Sequence, residues 1–249
     1  MESAHDSSEQ LNIIYQDKLI VAVHKPAGLL VHKSPIDKHE TRFAMKIVRD
    51  QIGQWVYPVH RLDKPTSGLL LFALHPDIAS QVGRYFEERL IKKTYHAIVR
   101  GHCEKAGKIN HPLKEIAAFK HEQESLNEKQ PQEAQTYFEN IHYYELPFSD
   151  GRFPTSRYSF IRLSPTTGRK HQIRRHLKHI SHPIIGDVKY GKGSHNRLFQ
   201  EKLLSHRLLL AATELSFPHP ETNELVQLAC PIEETFQDTL NRLKQYKTS

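Results

Sequence analysis

The sequence predicts an α+β fold, on three observations. Short runs rich in Val, Ile, Leu, Tyr and Phe come in pairs around turn residues, as hairpin strands do. Longer stretches repeat apolar residues at helix spacing. No apolar run approaches the roughly 18 residues that a membrane span needs, so these elements must bury their faces against one another.

In chain order, residues 1–10 (MESAHDSSEQ) are polar, lack an apolar h-region and read as a disordered lead-in, not a signal peptide. Two β-rich runs follow around Gln16, Asp17 and Lys18, and Pro26–Gly28 ends the second. In TRFAMKIVRDQIGQ, Phe43, Ile47, Val48 and Ile52 recur at helix spacing, with Thr41 as a candidate cap. TSGLLLFAL is a buried strand, HPDIASQVGRYFEERLIKK a helix and KTYHAIVRG an alternating strand. Residues 103–155, rich in Lys, Glu, Gln and Pro, read as an irregular excursion with weak hairpin content, not a separate domain. RYSFIRLSP returns to strand, GRKHQIRRHLKHI is a basic helix, a strand pair flanks PHPETN, and IEETFQDTLNRLKQY closes as a helix.

The 249 residues carry a formal net charge of +7, which suits a polyanionic partner. The charge is concentrated. Between Gly168 and Arg197 stand eight lysines and arginines against one carboxylate, Asp187, an excess equal to that of the whole chain. Ile173, Leu177 and Ile180 must face a core, which aims Arg175 and Lys178 outward and leaves Arg174 half-buried at the stripe's edge. A buried guanidinium needs a carboxylate, and Asp63 in VHRLDKPTSGLLL is the expected partner. Lys178 and Lys192 are expected to contact the phosphates of a nucleic acid. The two cysteines, Cys103 and Cys230, imply no disulfide framework and a reducing cytoplasm.

Three near-motifs are rejected. GDVKYGKG lacks the hydroxyl residue that a P-loop places after its lysine, and HRLD separates the kinase-like H-R from its Asp by Leu62. His176, His179 and His182 stand three apart, but with no cysteine nearby and Pro183 stopping the helix they are not read as metal ligands.

Together VHRLDKPTSGLLL, KKTYHAIV and SPTTGRKHQIRRHL resemble the H-R-L-D-x-x-T-S-G, K-x-Y-x-A and T-G-R-x-H-Q-I-R blocks of the RluA-type pseudouridine synthases, with KPAG and HPIIGDVKYG also fitting. The resemblance runs from about Leu11 to Pro231 and is nearest to the tRNA pseudouridine synthase C branch. It implies a mixed, mainly antiparallel sheet with flanking helices and a central cleft, in one catalytic domain over 11–249 without an N-terminal S4-type RNA-binding module. It implies isomerisation of a uridine in RNA to pseudouridine, at position 65 of the tRNA T-stem, with no metal, small-molecule cofactor or membrane. Asp63 would attack the substrate covalently or remove a sugar proton. Arg174 would pair with Asp63, and Tyr95 would stack on the uracil. Arg61 would fill the gap left by the flipped base, and Ile173 and Leu210 would wall the pocket. Relatives commonly read L-H-A where this chain has Ala211, which puts that histidine's role in doubt. The rival readings are a ribosomal RNA target and a noncatalytic RNA-binding protein on the same scaffold.

Overall fold

The computed structural model describes residues 9–33, 40–116 and 130–248. Most of the expected lead-in and the middle of the expected excursion therefore lie outside the described residues.

The first hairpin joins β1 (Asn12–Gln16) to β2 (Ile20–Lys25). Asp17 turns the chain by accepting the N–H groups of Leu19 and Ile20 on Oδ1 at 2.7 and 2.8 Å. Helix α1 (Ala44–Ile52) starts after Phe43 with no side-chain cap, so Thr41 does not cap it. A two-residue strand β3 (Tyr57–Pro58) leads to β4 (Ser67–Ala73), buried on both faces, as its unbroken apolar sequence requires. Helix α2 (Pro76–Glu87) opens on a proline, which is pre-set for the first turn.

The second half holds β5 (Lys92–Arg100), β6 (Ala106–Asn110), β7 (Gln135–Leu146) and β8 (Ser156–Pro165). After β8 come α3 (Gln172–His179), α4 (Gly193–Leu203), β9 (Leu210–Pro218), β10 (Leu225–Ala229), α5 (Glu234–Leu243) and β11 (Lys247–Thr248). Two expectations change. The 103–155 stretch is not an irregular excursion: it supplies β6 and the twelve-residue β7, which pairs along β8. Helix α4 has no counterpart in the sequence reading.

The sheet order is β1-β2-β4-β9-β5-β8-β7-β11, and β4 pairs with β9 in parallel while the other pairs are antiparallel. That seam, Ser67 beside Ala211 and Gly68 beside Ala212, joins the two halves in the middle of the sheet. Each half is covered on both faces. α1 covers Val21, Val23, Leu70 and Phe72, and α2 covers Ile20, Ala22, Leu69 and Leu71. Across the seam, α3 packs on Ala97, Val99, Ile161 and Leu163, while α4 and α5 pack on Ile98, Tyr158 and Phe160. Strand alternation sorts these sets.

Candidate active site

At the seam the loop before β4, the start of β5, the end of β8 and the start of α3 enclose a cleft of about 400 Å³. Asp63, Tyr95, Arg174, Arg61, Ile173 and Leu210 all line it. Lys178 and Lys192 are exposed and do not.

Asp63 sits on a tight turn closed by the Thr66 N–H on the Asp63 carbonyl at 3.0 Å. The Lys64 carbonyl accepts from Gly28 N–H at 2.8 Å and from the fully buried Lys25 ammonium at 3.2 Å. Lys25 also donates to the carbonyls of Pro26 and Leu29, so it ties the KPAG turn to the Asp63 loop. Burial holds the Lys25 pKa down to about 7, with Glu233 opposing the shift. His60 is structural: its Nε2 accepts the Leu71 N–H at 2.9 Å and its ring stacks on Phe86 at 5.1 Å. Burial takes its pKa down to about 3, which keeps that nitrogen an acceptor.

Arg174 is 5% exposed, fully buried where the sequence suggested half. Its Nη1 donates to Asp63 Oδ2 at 2.9 Å. Its Nε and Nη2 fork onto Asp187 at 2.7 and 2.9 Å. Burial opposes the charged form of Arg174, but Asp187 and then Asp63 outweigh it and raise its pKa. Burial likewise works against the Asp187 carboxylate, and Arg174 with the Tyr190 and Lys189 N–H groups lowers its pKa all the same. Sequence reasoning missed Asp187 as the second anchor. The available signal was its place as the lone carboxylate among eight cations.

His171 was also missed. It precedes α3 in the left-handed conformation (φ 56°), its Nδ1 meets Tyr190 Oη at 2.9 Å, and its Nε2 stands 3.8 Å from Asp63 Oδ1. Burial lowers its pKa to about 4 against the pull of Asp63. Tyr95 packs against the apolar cluster that holds Ile173 and Leu210, and burial and then Asp63 raise the pKa of its phenol. Arg61 is exposed at the lip. Ala211 packs with Ile98 and Phe160, away from the Leu210 cluster, so a histidine there would not extend the apolar wall of the cleft. Arg175 is half-buried, not outward, and burial lowers its pKa.

The three spaced histidines have separate duties. His176 reaches Thr136 Oγ1 and the His111 carbonyl, His179 stacks on His111 at 3.7 Å, and His182 meets the Arg100 carbonyl.

Comparison with known proteins agrees with this arrangement. Residues 19–179 match the model of the RNA pseudouridylate synthase family. The chain is 50% identical to a tRNA pseudouridine synthase C from Vibrio parahaemolyticus, over 94% of this chain and 96% of that protein. It is 47% identical to one from Haemophilus influenzae, over 93% and 97% respectively. Among solved structures it resembles human RNA pseudouridylate synthase domain containing 4, with TM-score 0.70 and 27% identity over 94% of this chain and 93% of that one. The motif blocks meet in one cleft, and the family match spans most of the chain: it belongs to the RNA pseudouridylate synthase family.

Proposed function

We propose that this protein converts a uridine in the T-stem of tRNA, at position 65, to pseudouridine, with Asp63 as the acting carboxylate. One observation carries the catalytic part: Asp63 stands in a cleft beside Tyr95 and takes a hydrogen bond from an arginine that Asp187 holds on its other side. The tRNA substrate is carried over from the synthase C relatives, which are near-equal in length to this chain. The cytoplasm is where such a substrate occurs, and no helix among the described residues is long and apolar enough to cross a membrane.

In this reading a paired stem uridine is unpaired and swung into the cleft, at a cost of a few kcal/mol. Tyr95 stacks on the ring between Ile173 and Leu210, and Arg61 at the lip takes the vacated place in the RNA. The Asp63 carboxylate then attacks the sugar or removes a sugar proton. Lys178 and Lys192 act outside the cleft, on phosphates.

Asp63→Asn is nearly isosteric and keeps an acceptor for Arg174. It should abolish pseudouridine formation and leave RNA affinity within about threefold, since docking uses other groups. The check is site-specific pseudouridine mapping on a tRNA transcript incubated with each protein. Modification of ribosomal RNA alone would overturn the tRNA assignment, and an active Asn variant would overturn the role of Asp63.

A further inference from the structure

The reaction creates a charge that Asp63, Tyr95 and Arg174 do not meet. The N1–C1′ bond breaks with its electron pair on uracil N1, and the charge spreads onto O2 and O4. Later the C5–C1′ bond forms, C5 gives up its proton and N1 gains one. Until then the detached ring is an anion held in the cleft. Arg174 spends three of its five N–H donors, one from each nitrogen, on Asp63 and Asp187, which fixes the guanidinium on the two carboxylates.

Another cation lines the same cleft. Lys93 stands two residues before Tyr95 on β5, and a bulge between Thr94 and Tyr95 separates them. It is mostly buried, its Nζ lies 5.9 Å from the Phe86 ring centre, and it donates to the Thr167 carbonyl at 3.1 Å. An ammonium carries three donors. Among the described residues no carboxylate pairs with it, and burial takes its pKa down to about 8. A buried, unpaired cation is costly unless a bound group completes it. Phosphate is a poor candidate, because the exposed Arg169 already stands at the lip where a backbone would pass.

We propose that Lys93 is a catalytic residue of this site, donating from Nζ to a uracil carbonyl oxygen and stabilising the ring anion as the N1–C1′ bond breaks. This rests on the reading that Asp63 acts on a uridine in this cleft. A fixed donor aimed at a developing oxyanion is among the larger catalytic effects, at about 100-fold or more in rate.

The test compares the native protein with Lys93→Met, which removes the charge, and Lys93→Gln, which keeps a donor for the Thr167 carbonyl. Each is assayed in single turnover on an RNA that the native protein converts, whichever uridine that is, so a wrong tRNA position does not alter the outcome. The target is uridine or 5-fluorouridine, whose fluorine makes the ring anion more stable. The readout is loss of the target nucleoside after digestion. Both variants should lose about 100-fold on uridine, with RNA affinity within about threefold, and about tenfold less than that on 5-fluorouridine. This ratio is internal to each protein, so partial misfolding does not affect it. Equal losses on the two substrates, a loss confined to affinity, or full activity of Lys93→Gln would each overturn the proposal.

Discussion

Arg174 shows how a residue can be legible by type and not by partner. Its place at the edge of an apolar stripe demanded a carboxylate, and Asp63 met that demand at 2.9 Å. The bidentate grip of Asp187 was not legible, because the GDVKYG stretch reads as a turn and nothing in its spacing aims Oδ1 and Oδ2 at a helix thirteen residues upstream. Yet Asp187 takes the Nε–Nη2 edge of the guanidinium, which leaves Nη1 to point at Asp63. Asp187→Asn should therefore act through Arg174. The amide keeps one acceptor oxygen, enough for the Lys189 and Tyr190 N–H groups, but cannot accept the fork. Breaking one side of a buried charge pair costs about 3–5 kcal/mol, so the melting temperature should fall. The single-turnover rate should fall about 10- to 100-fold while RNA affinity holds, because the arginine loses its aim and not its charge. A variant that melts lower but reacts at the native rate would reduce Asp187 to a structural role.

At the scale of elements, strands with unbroken or alternating apolar patterns were legible and helix α4 was not. GSHNRLFQEKL offers only Leu198, Phe199 and Leu203 as buried apolar positions, and it begins on glycine with no side-chain cap. Strand β7 hid in a polar stretch because its exposed face carries Tyr137, Glu139 and Ile141 while the buried one holds Thr136 and Phe138. The β4–β9 seam depends on a backbone feature that no pattern shows. Gly68 has φ +115°, and a Cβ there would lie 1.9 Å from the Ala212 carbonyl oxygen. Gly28 also has positive φ, +87°, but nothing within 4 Å of a Cβ. The pair separates conformation from space. Gly28→Ala should cost about 1–2 kcal/mol, from the left-handed backbone alone. Gly68→Ala adds an overpacking cost of about 1–3 kcal/mol or more, and it must part the two halves of the sheet where Asp63 is mounted. Urea unfolding of both variants checks this. Equal destabilisation would mean that the seam yields without strain.

For the molecule as a whole, two electrostatic consequences follow. Histidines buried in neutral form resist acid only to a point. The folded pKa values of His60 and His171, about 3 and about 4, lie below the unfolded value near 6.5. Their contribution to stability is complete above pH 6.5 and is lost as the pH falls toward 4 and 3, because the unfolded chain takes up the protons first. Thermal melting between pH 7 and 4 should fall steeply, and replacing His60 by Gln should flatten part of that fall. The second consequence concerns RNA. Some surface arginines elsewhere are paired, as in Arg49 with Asp50, Arg89 with Glu133 and Arg157 with Glu145. Lys178, Lys189 and Lys192 are exposed and take part in no ion pair among the described residues; Lys178 and Lys189 lie within 6.0 Å of the Tyr190 ring centre. Cations left unpaired on one side of a cleft attract a polyanion without reading its sequence. Each phosphate contact releases counterions, so log K should fall linearly with log salt. Lys178→Ala or Lys192→Ala should each reduce that slope by about one unit. Because these side chains lie outside the cleft, the rate at saturating RNA should stay unchanged, and the affinity loss should be the same for convertible RNA and for one lacking the target uridine. A slope that neither substitution moves would place the RNA backbone on another face, and Asp63 would then have to be reached from the side of Arg61 and Arg169.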